Sequence, residues 1–461
     1  MKTKFLFASR SLIFMILLVA VSCDSFVEVD LPKSQLTTES VFENYTTAEA
    51  ALTDIYSKIR DRGMLTGDGI GISNHLACYS DEMISNESVS NPSFSFYANA
   101  LLPTNTIVAD YWNSAYNQIY AANSIISGCE NSLSLTQAQR NQLTGEALFI
   151  RSLELFYLLN IFGSVPYVSG TDYKTNSKIS KMDPEQMYGK IITDLETAVD
   201  LLPESYIAVP RIRPNKYAAK ALLSRIYLFS GKFSEASNAA SAVINNQSLY
   251  AVENINSAFL LNSKETLWQL HSGTAGKNTA DGAYFIFTAG PPQFVWMSSS
   301  LYNSFTDGDL RRTYWTKEVK DASGTWHHPY KYKENFDTSV SKEYTVVLRL
   351  SEQFLVRSEA RAMQGDLIGA KEDLNKIRKR AGLPDTQAQT QSEILDAVLE
   401  ERKHELFTEY GHRFFDLKRN GKLNTSLANI KAGWNATDQF FPIPEAEINA
   451  NPNLKPQNSG Y

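Results

Sequence analysis

The sequence predicts a mostly α-helical protein: one large domain built on tetratricopeptide-like helix pairs, with long irregular loops and a few short strands. Three observations predict it. Apolar residues recur at spacings of three and four behind residues that cap helices. Two helix pairs share a turn in which Gly is followed five residues later by Ala, at Gly231/Ala236 and Gly365/Ala370. Irregular composition, rich in Gly, Ser, Asn and aromatics, is concentrated in residues 65–109 and 252–347.

The first 22 residues read as a lipoprotein-type signal peptide. Lys2, Lys4 and Arg10 precede the apolar run 11–22, SLIFMILLVAVS. That run is shorter than the roughly 20 residues a bilayer span needs, and it fits a signal's apolar region. Ala20-Val21-Ser22 then leads into Cys23 and resembles the bacterial lipobox, with Ala20 where Leu is most usual. Cys23 is therefore the expected lipid-attachment residue. Several acyl chains hold firmly, because each buried CH₂ adds about 0.8 kcal/mol. Residues 24–38 are polar, contain Pro32, and read as an extended tether.

Helical patterns follow over Thr46–Asp61, Tyr111–Ser127, Thr136–Asn160 and Asp183–Leu202. The last opens with Asp then Pro, a good start signal, and stops at Pro203. Residues 215–245 read as one helix pair and 351–382 as another. Their Gly-to-Ala spacing resembles the tetratricopeptide turn, where Gly frees the backbone and Ala admits a close neighbour. Residues 23–230 and 231–461 are expected to pack as one globular unit.

Composition narrows the function. The net charge is −6 with no basic block, which argues against a nucleic-acid partner. Aromatics reach 11%, with 23 Tyr and 24 Phe; surplus rings suit surfaces that stack on flat ligands. Apart from Cys23 there are only Cys78 and Cys129, expected as two small buried hydrophobes rather than a disulfide framework.

The C-terminal third carries a family resemblance. RLSEQFLVRSEAR (349–361), AKEDLNKIRKRAGL (370–383), EERKHELFTEYGHRFFDLKRNG (400–421) and FFPIPEAEINANPNLKPQNSGY (440–461) are similar, in this order, to motifs of the SusD/RagB family. Upstream segments fit as well, notably residues 26–59 and GEALFIRSLELFYLLNIFGSVP (145–166). Ser459 stands where Pro is common, and Phe415 where another aromatic is frequent. The resemblance spans nearly the whole mature chain and is weakest in 65–109 and 252–347. It implies a helical lipoprotein on the outer face of a Bacteroidetes-type outer membrane. There it would bind nutrient over a TonB-dependent, SusC-like transporter and deliver it without chemistry.

The EYGHRFFDLKRNG stretch invites a catalytic reading, but His404-Glu405 lacks the second His that a zinc protease helix needs, since position 408 is Thr. Arg413 and Asp416, three apart, are expected to pair on one helix face. Asp307-Gly308-Asp309 is too short for a calcium loop and reads as a turn or helix start. His327-His328 is expected as an exposed polar pair. No catalytic residue, metal ligand or cofactor site is assigned.

Binding is expected from aromatics in the two irregular stretches, because a ring covers a sugar's apolar face while amides bond its hydroxyls. The candidates are Phe94, Phe96 and Tyr97 with Asn91 and Asn99 in the first stretch. The second offers Tyr284, Phe285, Phe294, Trp296, Trp326 and Tyr330. Only some of these rings are expected to touch ligand. Trp112, Tyr116 and Trp268 are expected in the core. The expected ligand is a glycan. A peptide or other non-sugar nutrient is the alternative, and an exported glycoside hydrolase is a remote one.

Overall fold

The computed structural model describes residues 38–461. The signal run, Cys23 and the tether up to residue 37 lie outside them. Helices of eight or more residues are numbered here. They are α1 (Tyr45–Asp61), α2 (Ile72–Tyr79), α3 (Thr106–Asn131), α4 (Gln137–Phe162), α5 (Pro184–Leu201), α6 (Lys216–Phe229), α7 (Phe233–Ile244), α8 (Leu350–Met363), α9 (Leu367–Arg380), α10 (Gln391–Leu406) and α11 (His412–Arg419). Among the described residues, no helix is long and apolar enough to cross a membrane.

Local chemistry fixes the ends. Asn44 caps α1, accepting from the Thr46 amide, one residue earlier than the apolar pattern marks. Asn105 accepts from the amides of Ile107 and Val108 and so starts α3 five residues before the expected Tyr111. Thr136 and Gln139 form a capping box at the start of α4, and Gly163, at φ +74°, ends it. Asp183 caps α5 with Pro184 in its first turn. Asp309 caps the short helix Leu310–Tyr314, as a helix start requires.

Consecutive helices from α3 to α11 pack as neighbours, and α7 also lies against α8. The two Gly–Ala hairpins therefore stack although about a hundred residues separate them. Gly231 and Gly365 take φ +73° and +85°, where other residues are strained. Ala236 and Ala370 are fully buried at the helix contacts they permit.

The residues between α7 and α8 leave the scaffold. Strands β2 (Thr266–Leu270) and β6 (Thr345–Arg349) pair antiparallel and close the base of this excursion. Strand β1 (Met83–Ser85), from the first irregular stretch, pairs antiparallel with β3 (Val295–Met297) from the second. Strands β4 (Thr316–Asp321) and β5 (Gly324–Pro329) form a hairpin.

Two hydrophobic clusters result. The large one joins all eleven numbered helices and draws on residues from Phe42 to Leu454; Trp268 lies in it, fully buried, and Trp112 nearly so. The smaller one, with Met83, Phe259, Phe285, Val295, Met297, Trp315 and Phe407, underlies the excursion. Cys78 and Cys129 are free and buried, and burial pushes their thiols up to about 12 and about 11.

Several expectations need correction. Arg413 does not pair with Asp416. It binds Asp81 at 2.6 and 2.8 Å, while Asp416 accepts from Arg402 and Arg419. Asp81, from the first irregular stretch, takes Arg413, while Asp416 pairs three apart with Arg419 on its own helix and across to Arg402 of α10. The histidines are not an exposed pair either. Successive strand residues point to opposite faces, so His328 is fully buried against Phe287 while His327 stacks on Tyr302 with centroids 3.4 Å apart.

Candidate ligand-binding site

The β1–β3 pairing brings together the two irregular stretches. Ile84 sits opposite Trp296, while their neighbours Met83, Val295 and Met297 turn into the smaller core. Phe294 lies two residues before Trp296 and so shares its face. Its carbonyl accepts the Asn86 amide, extending the pairing by one residue. Tyr284 stacks on Phe294, centroids 5.2 Å apart and planes within 13°. This offset spacing is the one aromatic pairs prefer.

Polar groups surround the rings. The Tyr284 hydroxyl receives a bond from Asn74 Nδ2 at 3.3 Å and donates to Glu87 Oε1 at 3.5 Å. Glu87 in turn accepts from Asn91 at 2.7 Å. Asn86 donates to the Pro292 carbonyl. Burial pushes the Tyr284 hydroxyl far above its ordinary range, so it stays protonated. Gly69 underlies the ring, where a Cβ would collide with it. Tyr97 packs against the same small core. Its ring carries the Lys431 ammonium 4.1 Å from the centroid, and that ammonium donates to the Cys78 carbonyl. Burial lowers Lys431 to about 8.

The predicted residues thus divide. Tyr97, Tyr284, Phe294 and Trp296 are half-buried and sit on or beside one face. Phe94 touches Tyr97 at 5.9 Å. Trp326, on β5, lies over Gly290 in the loop leading to β3. Four others are withdrawn from the candidate surface. Phe96 is fully buried, stacked on His75 at 4.1 Å. Phe285 is in the smaller core. Asn99 is 4% exposed and spends its amide on the Tyr79 carbonyl. Tyr330 holds Lys333 and Lys317 over its ring, at 4.2 and 5.0 Å. The helix turn at Phe94–Tyr97 explains the first of these, since neighbouring residues on a helix point in different directions.

Sequence reasoning missed Asn74, Asn86, Glu87 and Lys431. Each is an unremarked polar residue until a strand pairing across some 200 positions, or a C-terminal loop, places it beside a ring. A polar cavity of about 300 Å³ also opens beside the short helix that carries Tyr284. Asp68, Lys277, Asn278 and Glu334 line it, with Phe336, 76% exposed, at its wall.

The segment EERKHELFTEYGHRFFDLKRNG (400–421) supports the site from below. Glu405 accepts from Arg311, Arg349 and Arg380, and Glu409 from Arg349 and Lys331. Against the upward push of burial, these guanidinium groups hold Glu405 well below the usual carboxylate range. Thr408 and Tyr410, at φ +52° and +44°, adopt a conformation that side chains disfavour and so aim Glu409 at its partners. Arg311 and Lys331 belong to the excursion, and α10 belongs to the scaffold. The motif is therefore a buried ionic clamp between them.

Two family models match the chain. One, described as starch-binding and associating with the outer membrane, covers residues 26–228; the other, the SusD family, covers 293–461. The chain is 25% identical over 414 residues to SusD-like protein P2 of Formosa agariphila, covering 77% of this chain and 81% of that one. A SusD superfamily protein from Bacteroides vulgatus superposes with TM-score 0.79 at 22% identity, over 91% of this chain and 100% of that one. A laminarin-binding SusD-like protein superposes with TM-score 0.76 at 24% identity, over 90% and 99%. With the motifs in order, two family models matched and the fold shared over 91% of the chain, the chain belongs to the SusD/RagB family.

Proposed function

We propose that this protein captures a glycan at the outer membrane and passes it to a TonB-dependent, SusC-like transporter, without chemistry of its own. The anchor in this reading is acyl chains on Cys23, and the site faces outward. The observation that carries the reading is the stacked Tyr284–Phe294 pair in line with Trp296, flanked by the Asn86 and Glu87 side chains. Flat apolar rings beside amides and a carboxylate match a sugar's own division into C–H faces and hydroxyls. The laminarin-binding neighbour makes β-glucan a first probe, and the starch-binding family model makes starch a second.

The test is native affinity electrophoresis of the chain without its anchoring cysteine, residues 24–461, through gels cast with laminarin, starch and other neutral polysaccharides. At least one should retard it. The combined substitution Tyr284→Ala, Phe294→Ala, Trp296→Ala should abolish the retardation, and undiminished retardation would remove this site from the reading. Labelled fatty acid should enter the wild-type chain in cells and be absent from Cys23→Ala. Equal labelling of both would overturn the anchor.

A further inference from the structure

A second groove, sharing no lining residue with the aromatic face, runs along α3. Asn113, Tyr116, Asn117 and Tyr120 stand at i, i+3, i+4 and i+7, so they form one stripe about 10 Å long on a single helix face. The stripe alternates rings with amides instead of presenting an apolar seam. Trp112, 3% exposed, forms the floor and leans on Tyr116 with centroids 5.0 Å apart. Across the groove stands Tyr173, 79% exposed, and Tyr120 is 48% exposed. The cavity measures about 410 Å³, within the range of small-molecule sites.

The groove is built in advance of any ligand. The Tyr116 hydroxyl donates to the Pro166 carbonyl at 2.9 Å, and Asn123 ties down the Val168 carbonyl at 2.9 Å. Asn176 and Asn451 fasten the opposite walls through the Gly170 and Ile179 carbonyls, each at 2.9 Å. The amides of Asn113 and Asn117 are the exception. Among the described residues neither side chain has a hydrogen-bond partner, and each offers both a donor and an acceptor to the groove. No Lys or Arg lines it, and Glu447 is its single charged group. A lone carboxylate with no cation beside it argues against phosphate or carboxylate recognition. It leaves a neutral, hydroxyl-bearing ligand with an apolar face.

We propose that this groove is a second glycan site, which takes an uncharged oligosaccharide by stacking on Tyr120 and Tyr173 and bonding to Asn113 and Asn117. It shares ligand chemistry with the function proposed above but stands on different residues. The test is calorimetric titration of residues 24–461 with neutral oligosaccharides, laminarin- and starch-derived fragments first. Three variants accompany it: Tyr120→Ala/Tyr173→Ala/Asn117→Ala in the groove, Tyr120→Phe/Tyr173→Phe as the conservative control, and Tyr284→Ala/Trp296→Ala at the first site. The expected result is residual binding in the first-site variant. The groove variant should lose that class of binding by about tenfold or more in affinity. The Phe control should keep it, because the rings remain. The side chains altered in the groove are exposed, so folding of the groove variants should be untouched. Binding carried wholly by the groove would uphold this proposal while sinking the first site. Saturation at one site per chain that the first-site variant abolishes would overturn it. So would unchanged sugar binding in the groove variant together with loss of transporter co-purification, which would make the groove a protein contact. Failure of every neutral oligosaccharide to bind would overturn both.

Discussion

The helical scaffold and the looped-out excursion are held together by different physics. In the scaffold, small and branched apolar residues interlock along the eleven numbered helices, and cohesion scales with apolar area removed from water. In the excursion a much smaller core sits beside a dense set of buried charges: Arg311, Lys331 and Arg349 facing Asp309, Glu265, Glu401, Glu405 and Glu409. Buried ion pairs contribute little net stability compared with apolar packing, but they tolerate no missing partner. The scaffold should therefore yield gradually to substitution, whereas the excursion should fail abruptly at a few charged positions. An abruptly failing clamp under a binding face makes physical sense, because it fixes orientation as well as stability.

The strongest way to break the comparison is Arg349→Ala. It strips Glu265, Glu405 and Glu409 of a shared partner, and denaturant unfolding should show a loss of about 3–5 kcal/mol, the penalty for uncompensated buried charge. A loss below that of an exposed pair would mean that the clamp is not structural. Ala370→Leu tests the scaffold. Its added methylenes meet a fully buried helix contact, and about 1–3 kcal/mol should be lost through overpacking. A neutral result would show that α8 and α9 can part freely.

A pH series sharpens the contrast. Glu154 sits 2% exposed in α4, and burial alone raises its carboxyl to about 8. A carboxyl raised in the fold stabilises it at acid pH, and that contribution fades as pH climbs from the ordinary value near 4.5 towards 8. Glu154→Gln should therefore flatten the decline of melting temperature between pH 5 and about 8.5 and raise it at the alkaline end. Glu405, held down by arginines, carries the opposite sign and should destabilise the fold only on strong acidification. An unchanged alkaline limb in Glu154→Gln would contradict the burial assigned to it. The smallest expected stability effect is Trp296→Ala. That side chain is only partly exposed, on a three-residue strand and in neither hydrophobic cluster, so melting should move modestly, by about 1 kcal/mol, while glycan retention falls. A large melting change would mark Trp296 as core instead of site.

Much of the scaffold was legible because its signals are local. Caps such as Thr136, Asp183 and Asn215, and turn glycines such as Gly231 and Gly365, act within one helical turn of themselves. The candidate site was legible only as composition. Phe94, Phe96 and Tyr97 look alike in sequence, yet one short helical turn sends Phe96 into the core. Phe285 and Tyr284 are adjacent, and the same rule divides them. Trp112 was expected in the core and lies there, nearly fully buried; what its neighbours Asn113, Asn117 and Tyr120 do on the outer side of α3 depends on a loop and a tail that arrive from residues 166–177 and 445–454.

What the sequence determined alone was periodicity, capping and motif order: a helical body of this family with two irregular stretches set apart from it. These follow from interactions within a few residues, which the chain carries wherever it goes. Only the tertiary structure decided that β1 meets β3, that Glu405 gathers three arginines, and which rings face outward. Those outcomes rest on contacts between residues tens to hundreds of positions apart, whose closure depends on the whole chain having packed.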